Sequence, residues 1–101
     1  MNKYLLKLYI TGQTPRSTRA VANLRQICDE KIGEECELVI IDILERPQLA
    51  EDDKVLATPM LIKQLPPPTR RFIGDLSDMD KVLVGLDLQP RSGFQEQEGN
   101  E

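Results

Sequence analysis

The sequence of 101 residues contains no histidine and only two cysteines. The lack of histidine excludes serine–histidine and cysteine–histidine nucleophile pairs, and it removes the commonest metal ligand in proteins. The two cysteines, Cys28 and Cys36, fit neither a CxxC redox motif nor a zinc-binding pattern. Since most free cysteines fill the core without reacting, we interpret both as buried or incidental thiols. The sequence thus predicts no catalytic residue, no metal site and no cofactor.

Long hydrophobic runs are also missing. No run approaches the ~20 apolar residues that span a bilayer, and the first ten residues carry Lys3 and Lys7, which argues against a secretory signal. The net charge of −4 argues against general binding to nucleic acid or to an anionic membrane. We therefore expect a cytoplasmic protein with neither nucleic acid nor a membrane as its partner.

Apolar residues make up 40% of the chain and cluster in runs, which predicts a single folded domain over residues 1–90. From residue 91 to residue 101 the composition shifts to glycine, glutamine, glutamate and asparagine, with a lone Phe94 and no apolar stripe. This composition predicts a disordered acidic tail.

The first half of the chain predicts a β-α-β unit. Residues 3–10 show the period-two pattern of a strand with one more deeply buried face. Thr14 and Pro15 then suit the cap and the first turn of an amphipathic helix, for which Gly33 is a natural stop. Residues 38–43 are apolar at both parities, as expected for a strand that is covered on both faces in a parallel sheet.

The second half gives weaker signals. Residues 48–57 predict a brief helix that ends at residues 58–59, where a proline follows. Residues 70–73 predict a strand that forms an antiparallel hairpin with the run before it. Ser77 and Asp80 match a capping box, which predicts the start of a last helix.

Two segments, 60–65 and 82–88, fit either a strand or a helix. The second segment contains two valines and Gly85, which disfavours a helix by roughly 1 kcal/mol relative to alanine, yet it also continues a helical apolar stripe. The three prolines at 66–68 continue neither kind of element. Periodicity does not decide between the two states.

The better-supported reading of each segment gives the order β-α-β-α-β-β-α, an α/β fold of the thioredoxin-like type. In that fold a redox dithiol lies between the first strand and the first helix, next to a cis-proline that begins the third strand. Here residues 11–17 contain no cysteine, although Pro59 stands at the place of that proline. Because dithiol exchange requires a thiol in this loop, the residues favour a binding module and leave a thioredoxin-like oxidoreductase as the alternative.

Several strings of residues share the pattern of one known family. They are Leu6-Lys7-Leu8-Tyr9 with Gly12, Thr14, Pro15 and Ser17; Pro47-Gln48-Leu49-Ala50-Glu51 with Asp53-Lys54; Leu56-Ala57-Thr58-Pro59; and a last block with Leu65-Pro66-Pro67-Pro68, Arg70-Arg71, Ile73-Gly74-Asp75-Leu76-Ser77, Lys81-Val82-Leu83 and Gly85-Leu86-Asp87-Leu88. Over residues 3–88, almost without gaps, the chain resembles the KaiB family of circadian clock proteins.

The resemblance implies a non-catalytic regulator that binds the N-terminal ATPase domains of the ring-shaped clock protein KaiC and modulates its phosphorylation cycle. In complete clocks it also implies capture of KaiA and competition with the thioredoxin-like sensor domain of the kinase SasA. A KaiB-like protein with a stress-related role, and a structural tetramer without a clock role, are the alternatives.

Two binding surfaces follow from the resemblance, position by position. The KaiC-facing surface comprises five residues of the second helix and its end, namely Gln48, Leu49, Glu51, Asp52 and Lys54. The KaiA contact runs along the edge of the second strand, where Glu37 and Val39 replace the usual small residue and lysine. This exchange alters the charge that KaiA would meet, so the sequence favours KaiC over KaiA as a partner.

The resemblance also implies a switch between two folds. One form is a monomeric thioredoxin-like domain, which binds KaiC, and the alternative is a tetrameric ground-state fold with a rearranged C-terminal half. The positions tied to the switch are Pro59, Pro66, Pro67, Pro68, Gly85 and Asp87. Met60 and Phe72 depart from the family pattern and add apolar bulk to strands of the thioredoxin-like form, so we expect that form.

Overall fold

Four strands and three α-helices follow each other in the predicted order. In the computed structural model, which describes residues 3–33 and 35–86, they are β1 (Tyr4–Ile10), α1 (Pro15–Ile27), β2 (Cys36–Asp42), α2 (Pro47–Asp52), β3 (Met60–Leu65), β4 (Arg70–Ile73) and α3 (Met79–Gly85). The strands form one sheet in the order β2-β1-β3-β4. β2 runs parallel to β1, and β3 and β4 are antiparallel to their neighbours. This topology confirms the thioredoxin-like fold.

The sheet is covered on both faces, and the two parities of β1 face different layers. One core contains the β1 residues Tyr4, Leu6, Leu8 and Ile10 together with apolar residues of α1 and α3. The other core contains Tyr9, Ile41, Ala50, Met60 and Ile62, and so lies between the sheet and α2. The strand pattern predicted for residues 3–10 is therefore confirmed.

The first helix begins and ends as the sequence predicts. The Thr14 hydroxyl accepts a hydrogen bond from the amide of Ser17 at 3.1 Å, and Pro15 occupies the first turn. A π-helical turn, Cys28–Ile32, extends the helix. It ends at Gly33, whose φ of 98° is a conformation that residues with a side chain rarely adopt.

The two ambiguous segments take different states. Residues 60–65 form β3, and the part of residues 82–88 that the structure describes is helical up to Gly85. Burial explains the helix, because Val82 and Leu86 lie one turn apart and are both fully buried in the core beneath α1. Position 87 and the predicted tail, 91–101, lie outside the described residues.

The predicted capping box is wrong by one residue. The cap of α3 is Asp78, whose carboxylate accepts a hydrogen bond from the amide of Lys81 at 3.2 Å. The amide of Ser77 instead donates to the carboxylate of Asp75 at 3.1 Å, so Ser77 belongs to the preceding turn. The helix therefore starts one residue later than Ser77 and Asp80 suggest.

Asp75 also joins this turn to α1. Its carboxylate lies 3.0 Å from Nε of Arg19, and its backbone oxygen accepts a hydrogen bond from the side-chain amide of Asn23 at 2.8 Å. The hydrogen bonds from Ser77, and then the Arg19 guanidinium, hold the pKa of Asp75 below its usual value.

None of the helices within residues 3–33 and 35–86 has the length and apolar character needed to cross a membrane.

Gly85 lies against Phe72 of β4. A β-carbon at Gly85 would stand 3.1 Å from Cδ2 of Phe72, which is closer than ordinary van der Waals contact. We expect Gly85→Ala to lower the free energy of unfolding more in the natural chain than in a Phe72→Leu variant. The difference, which is the coupling free energy of the two positions, should be about 0.5–1 kcal/mol. Urea denaturation of the two single variants and the double variant measures this coupling. Additive effects would show that the ring of Phe72 moves away from the added β-carbon without loss of stability.

Candidate protein-binding surface

Helix α2 is short because its chain turns into a left-handed conformation directly after it. Lys54 has a φ of 56°. Its amide donates to the carbonyl of Glu51 at 3.0 Å, and the amide of Val55 donates to the carbonyl of Ala50 at 2.9 Å. These two bonds are the pattern of a Schellman motif, in which glycine is the usual left-handed residue. The predicted helix over residues 48–57 is thus wrong at its end, because a lysine takes the place of that glycine.

The five residues assigned to a partner surface all lie on one exposed segment. Gln48, Leu49, Glu51 and Asp52 belong to α2, Lys54 follows it, and each of them is exposed. Nε2 of Gln48 donates to the Asp52 carboxylate at 2.9 Å, one helical turn apart. The structure therefore brings the predicted residues together, and we refer to them as the α2 surface.

Exposed leucines lie at both ends of the α2 surface. Leu49 is 37% exposed, Leu44 before the helix is 67% exposed, and Leu56 after it is 93% exposed. Fully exposed leucines leave apolar area in water, which a bound protein can cover. Sequence reasoning did not assign Leu44 and Leu56 to a surface, because Leu44 is a single apolar residue between β2 and α2, and Leu56 lies within the helix predicted over residues 48–57.

Asp53 is the residue of this segment that points inward. Its carboxylate lies 2.9 Å from Nζ of Lys7 and accepts a hydrogen bond from the hydroxyl of Tyr9. The Tyr9 oxygen also lies 3.2 Å from the carbonyl oxygen of Leu49. Lys7 and Tyr9 stand on the central strand β1, so these contacts hold α2 to the sheet. This role is not visible in the sequence, where Asp53 is part of an acidic run typical of a solvated helix face.

The charges around Asp53 favour its ionised form. The hydrogen bond from Tyr9 is the largest cause of its lowered pKa, and the ammonium of Lys7 and the guanidinium of Arg71 on β4 add to it. Burial raises the pKa of Tyr9 above its usual value, and the hydrogen bond to Asp53 and the nearby charge of Asp52 raise it further. Tyr9 therefore stays a neutral donor wherever Asp53 is charged.

The edge strand β2 carries the second predicted surface. Glu37 is exposed and lies 3.9 Å from the ammonium of Lys3. Val39 was assigned to the same contact edge, but it is partly buried against the core beneath α2. Only one of the two predicted edge residues therefore faces solvent fully.

The prolines assigned to the fold switch lie at the two ends of β3. Pro59 is buried directly before the strand, and residues 66–68 form the turn into β4. The peptide bonds that precede Pro59, Pro66 and Pro68 are cis. Lys63 of β3 is almost fully buried, and its Nζ donates to the carbonyl of Pro66 at 3.0 Å. Asp87, the remaining switch position beside Gly85, lies outside the described residues.

The loop at the thioredoxin redox position is built from hydroxyl groups. The hydroxyls of Thr14 and Ser17 lie 3.0 Å apart, and those of Thr11 and Thr58 lie 2.6 Å apart. The hydroxyls of Thr14 and Ser17 cap α1, and that of Thr11 contacts the residue before Pro59. These contacts give the hydroxyl groups of the loop a structural role. Within residues 3–33 and 35–86 there is also no group of side chains that could hold a metal ion.

The two cysteines are not unconnected thiols. Cys28, at the end of α1, and Cys36, at the start of β2, are joined as a disulfide with their Cα atoms 6.0 Å apart. The interpretation of both as incidental thiols is therefore wrong. Their separation of eight residues gave no hint of this, because the turn between them folds the end of the helix back onto the strand.

Comparison with known sequences identifies the family. A profile of the KaiB domain matches residues 7–88. The chain belongs to the KaiB family. Circadian clock protein KaiB3 of Synechocystis sp. is 54% identical over 90 residues, which cover 89% of the chain and 88% of the relative. The circadian clock oscillator protein KaiB of Prochlorococcus marinus is 59% identical over 85 residues, which cover 84% and 81%.

Solved structures confirm the thioredoxin-like fold of this KaiB family member. The N-terminal domain of Synechococcus elongatus SasA aligns with a TM-score of 0.69 and 26% identity over 83% of the chain and 81% of the domain. Mitochondrial thioredoxin 3 from Saccharomyces cerevisiae aligns with a TM-score of 0.67 and 16% identity over 86% and 79%. The thioredoxin shows the fold alone, since its identity is low.

Asp53→Asn tests the contact that holds α2 to β1. We expect the free energy of unfolding at pH 7 to fall by about 1.5–3 kcal/mol, because Lys7 and Tyr9 lose a charged acceptor. The folded-state pKa of Asp53 lies below the unfolded value of about 3.9, so its contribution is complete above that pH and declines as pH falls through the lowered pKa. Urea denaturation at pH 7 and below pH 3 measures both effects.

Asp52→Asn is the matched control for this experiment. Its carboxylate is exposed and contacts Gln48 on the same helix, so we expect a change within about 0.5 kcal/mol at either pH. Equal effects of the two substitutions would contradict the assigned role of Asp53.

Lys54→Gly tests the left-handed end of α2. We expect the free energy of unfolding to rise by about 0.5–1 kcal/mol, because glycine adopts the φ of 56° without the cost that a β-carbon imposes. Lys54→Ala removes the same charge but keeps the β-carbon, so it should not be stabilising. Thermal and urea denaturation distinguish the two variants, and equal stability would show that the backbone there is unstrained.

Proposed function

We propose that the chain is a non-enzymatic, cytoplasmic regulator of the circadian clock that binds the N-terminal ATPase domains of a KaiC ring and modulates the phosphorylation cycle of KaiC. The observation that carries this proposal is the α2 surface. In this member of the KaiB family all five of its residues are exposed, while Asp53 holds the helix to the sheet. The side chains on that surface are free to contact a partner.

The composition of the α2 surface suits a protein partner. Leu49 and the flanking Leu56 supply apolar area, and Glu51, Asp52 and Lys54 surround it with charge of both signs. Protein interfaces combine an apolar centre with a polar rim in this way. The rim also restricts which partner fits, since a like charge placed opposite any of these groups is repelled.

SasA and KaiA are further proposed partners in a complete clock. The likeness to the N-terminal domain of SasA supports competition between the two proteins for one KaiC surface. The edge of β2 supports capture of KaiA by strand pairing, although Glu37 gives that edge a negative charge and Val39 turns partly inward. A KaiA that binds here needs a surface complementary to a glutamate.

The contacts of the first loop argue against the oxidoreductase alternative. Thr14 and Ser17 occupy the place of the redox dithiol, and their hydroxyls bond to each other and to the start of α1. A hydroxyl cannot form the mixed disulfide on which dithiol exchange depends.

We propose that the thioredoxin-like form acts as a monomer, the tetramer belonging to the alternative ground-state fold.

Glu51→Lys tests the proposed KaiC contact. Reversing one charge of the α2 surface places an ammonium opposite a group that accommodates a carboxylate, so we expect the affinity for a KaiC ring to fall by about tenfold. The measurement is fluorescence anisotropy of labelled chain titrated with KaiC hexamer, after incubation for many hours so that slow fold exchange is complete.

Glu30→Lys is the matched control, because it changes the net charge equally at an exposed position on the π-helical turn. We expect it to bind KaiC as the natural chain does. Equal losses for both variants would indicate a net-charge effect, and absence of binding by the natural chain, while another KaiB family member binds, would contradict the proposed function.

A further inference from the structure

Cys28 and Cys36 form a pair that the clock function does not use. Cys28 is buried in the core between the sheet and α1, and Cys36 is half-buried and packs against the same core. The α-helical part of α1 has 13 residues, so the pair lies about 20 Å from the loop in which thioredoxins carry their dithiol. The pair is therefore placed to join two elements of the chain rather than to exchange electrons with a bound protein.

The backbone holds both cysteines in place independently of the bond between them. The carbonyl of Cys28 accepts a hydrogen bond from the amide of Gly33 at 2.7 Å. Cys36 pairs with Tyr4 in the parallel ladder, and the amide of Tyr4 donates to the carbonyl of Glu35 at 2.7 Å. The Cα separation of 6.0 Å is usual for a disulfide, so two reduced thiols in this frame stay within reach of each other.

We propose that Cys28 and Cys36 are a reversible redox pair. Oxidation by a low-molecular-weight disulfide joins the end of α1 to the first residue of the edge strand β2 and stiffens that edge. Reduction by a thiol removes this restraint, while the backbone hydrogen bonds keep the two cysteines close to each other. Since β2 is an outer strand with one pairing partner, β1, its first residues depend on this bond more than a central strand would.

The reaction is a two-step thiol–disulfide exchange. The thiolate of Cys36, the more exposed of the two, attacks the small disulfide and forms a mixed disulfide, and one thiol leaves with a proton. The thiolate of Cys28 then attacks the Cys36 sulfur and expels the second thiol. Two electrons pass from the protein to the small disulfide, which becomes two thiols, and each cysteine loses one proton.

The sequence around the pair is acidic, which selects the oxidant. Residues 29–37 carry one ammonium, that of Lys31, and five carboxylates, those of Asp29, Glu30, Glu34, Glu35 and Glu37. The ammonium of Lys3 lies 3.9 Å from Glu37 and offsets part of that charge. An anionic disulfide such as oxidised glutathione is repelled from this region, and a cationic disulfide such as cystamine is attracted. The rate of oxidation should therefore depend on the charge of the disulfide and on ionic strength.

Equilibration of the full chain with glutathione buffers tests the proposal. Free thiols are trapped with a maleimide at each ratio of reduced to oxidised glutathione and counted by mass spectrometry. We expect one transition in which both thiols disappear together without a stable glutathione adduct. The oxidised chain should melt about 10 °C higher than the reduced chain, because the bond closes a loop of the unfolded chain.

Amide hydrogen exchange locates the effect of the bond in β2. We expect the amides of residues 36–39 to exchange about tenfold more slowly in the oxidised chain, and α3 amides to be unchanged. Cys36→Ser retains the buried Cys28, and in this variant oxidant should alter neither melting nor exchange. A persistent glutathione adduct, independent titration of the two thiols, or identical exchange in both states would overturn the proposal.

The charge dependence gives a separate measurement. At low salt we expect cystamine to oxidise the pair at least about threefold faster than oxidised glutathione does, with a smaller ratio at high salt. Equal rates at low salt would overturn the role assigned to the carboxylates of residues 29–37.

Discussion

The carboxylate of Asp53 holds helix α2 to the central strand, and the proposed binding surface depends on that contact. A helix of six residues is too short to be stable by itself, and among the residues of α2 only Ala50 is buried. Apolar packing at α2 comes from Ala50 and from Val55, which follows the helix and packs against the same core. The carboxylate of Asp53 adds polar contacts with Lys7 and Tyr9 of β1. These side chains are partly shielded from solvent, so a charged hydrogen bond between them stabilises the position of α2.

Because Ala50 and the following residue, Asp53, make the inward contacts, the side chains of the α2 surface stay exposed. A helix held by an apolar stripe must place about a third of its residues against the core. Here Gln48, Leu49, Glu51 and Asp52 all remain exposed, because the residue that follows them makes the buried contact. The same arrangement explains the left-handed Lys54, since the chain must reverse directly after Asp53 to return to the sheet.

Sequence periodicity predicted β1 and α1, because each of them buries one regular face, and the order of the elements followed from choosing the better-supported state of each remaining segment. It did not decide residues 60–65 and 82–88, where burial against α1 and β1 sets the state and local preference does not. The exposed residues of the α2 surface came from family resemblance. The contact of Asp53 and the Cys28–Cys36 bond were missed, because both join positions whose proximity only the folded chain creates.

The contacts between the two halves of the chain define what a fold switch would have to break. Lys7 belongs to the first half and Asp53 to the second, and the pair of Arg19 with Asp75 also joins the halves. The hydroxyls of Thr11 and Thr58 join the halves as well. The β1–β3 ladder is a further connection, and its register shifts between Leu5 and Leu6. The Cys28–Cys36 bond, by contrast, lies wholly within the first half. Oxidation would therefore stiffen the β-α-β unit alone, and a rearrangement of the second half would have to break the polar contacts of Asp53 and Asp75.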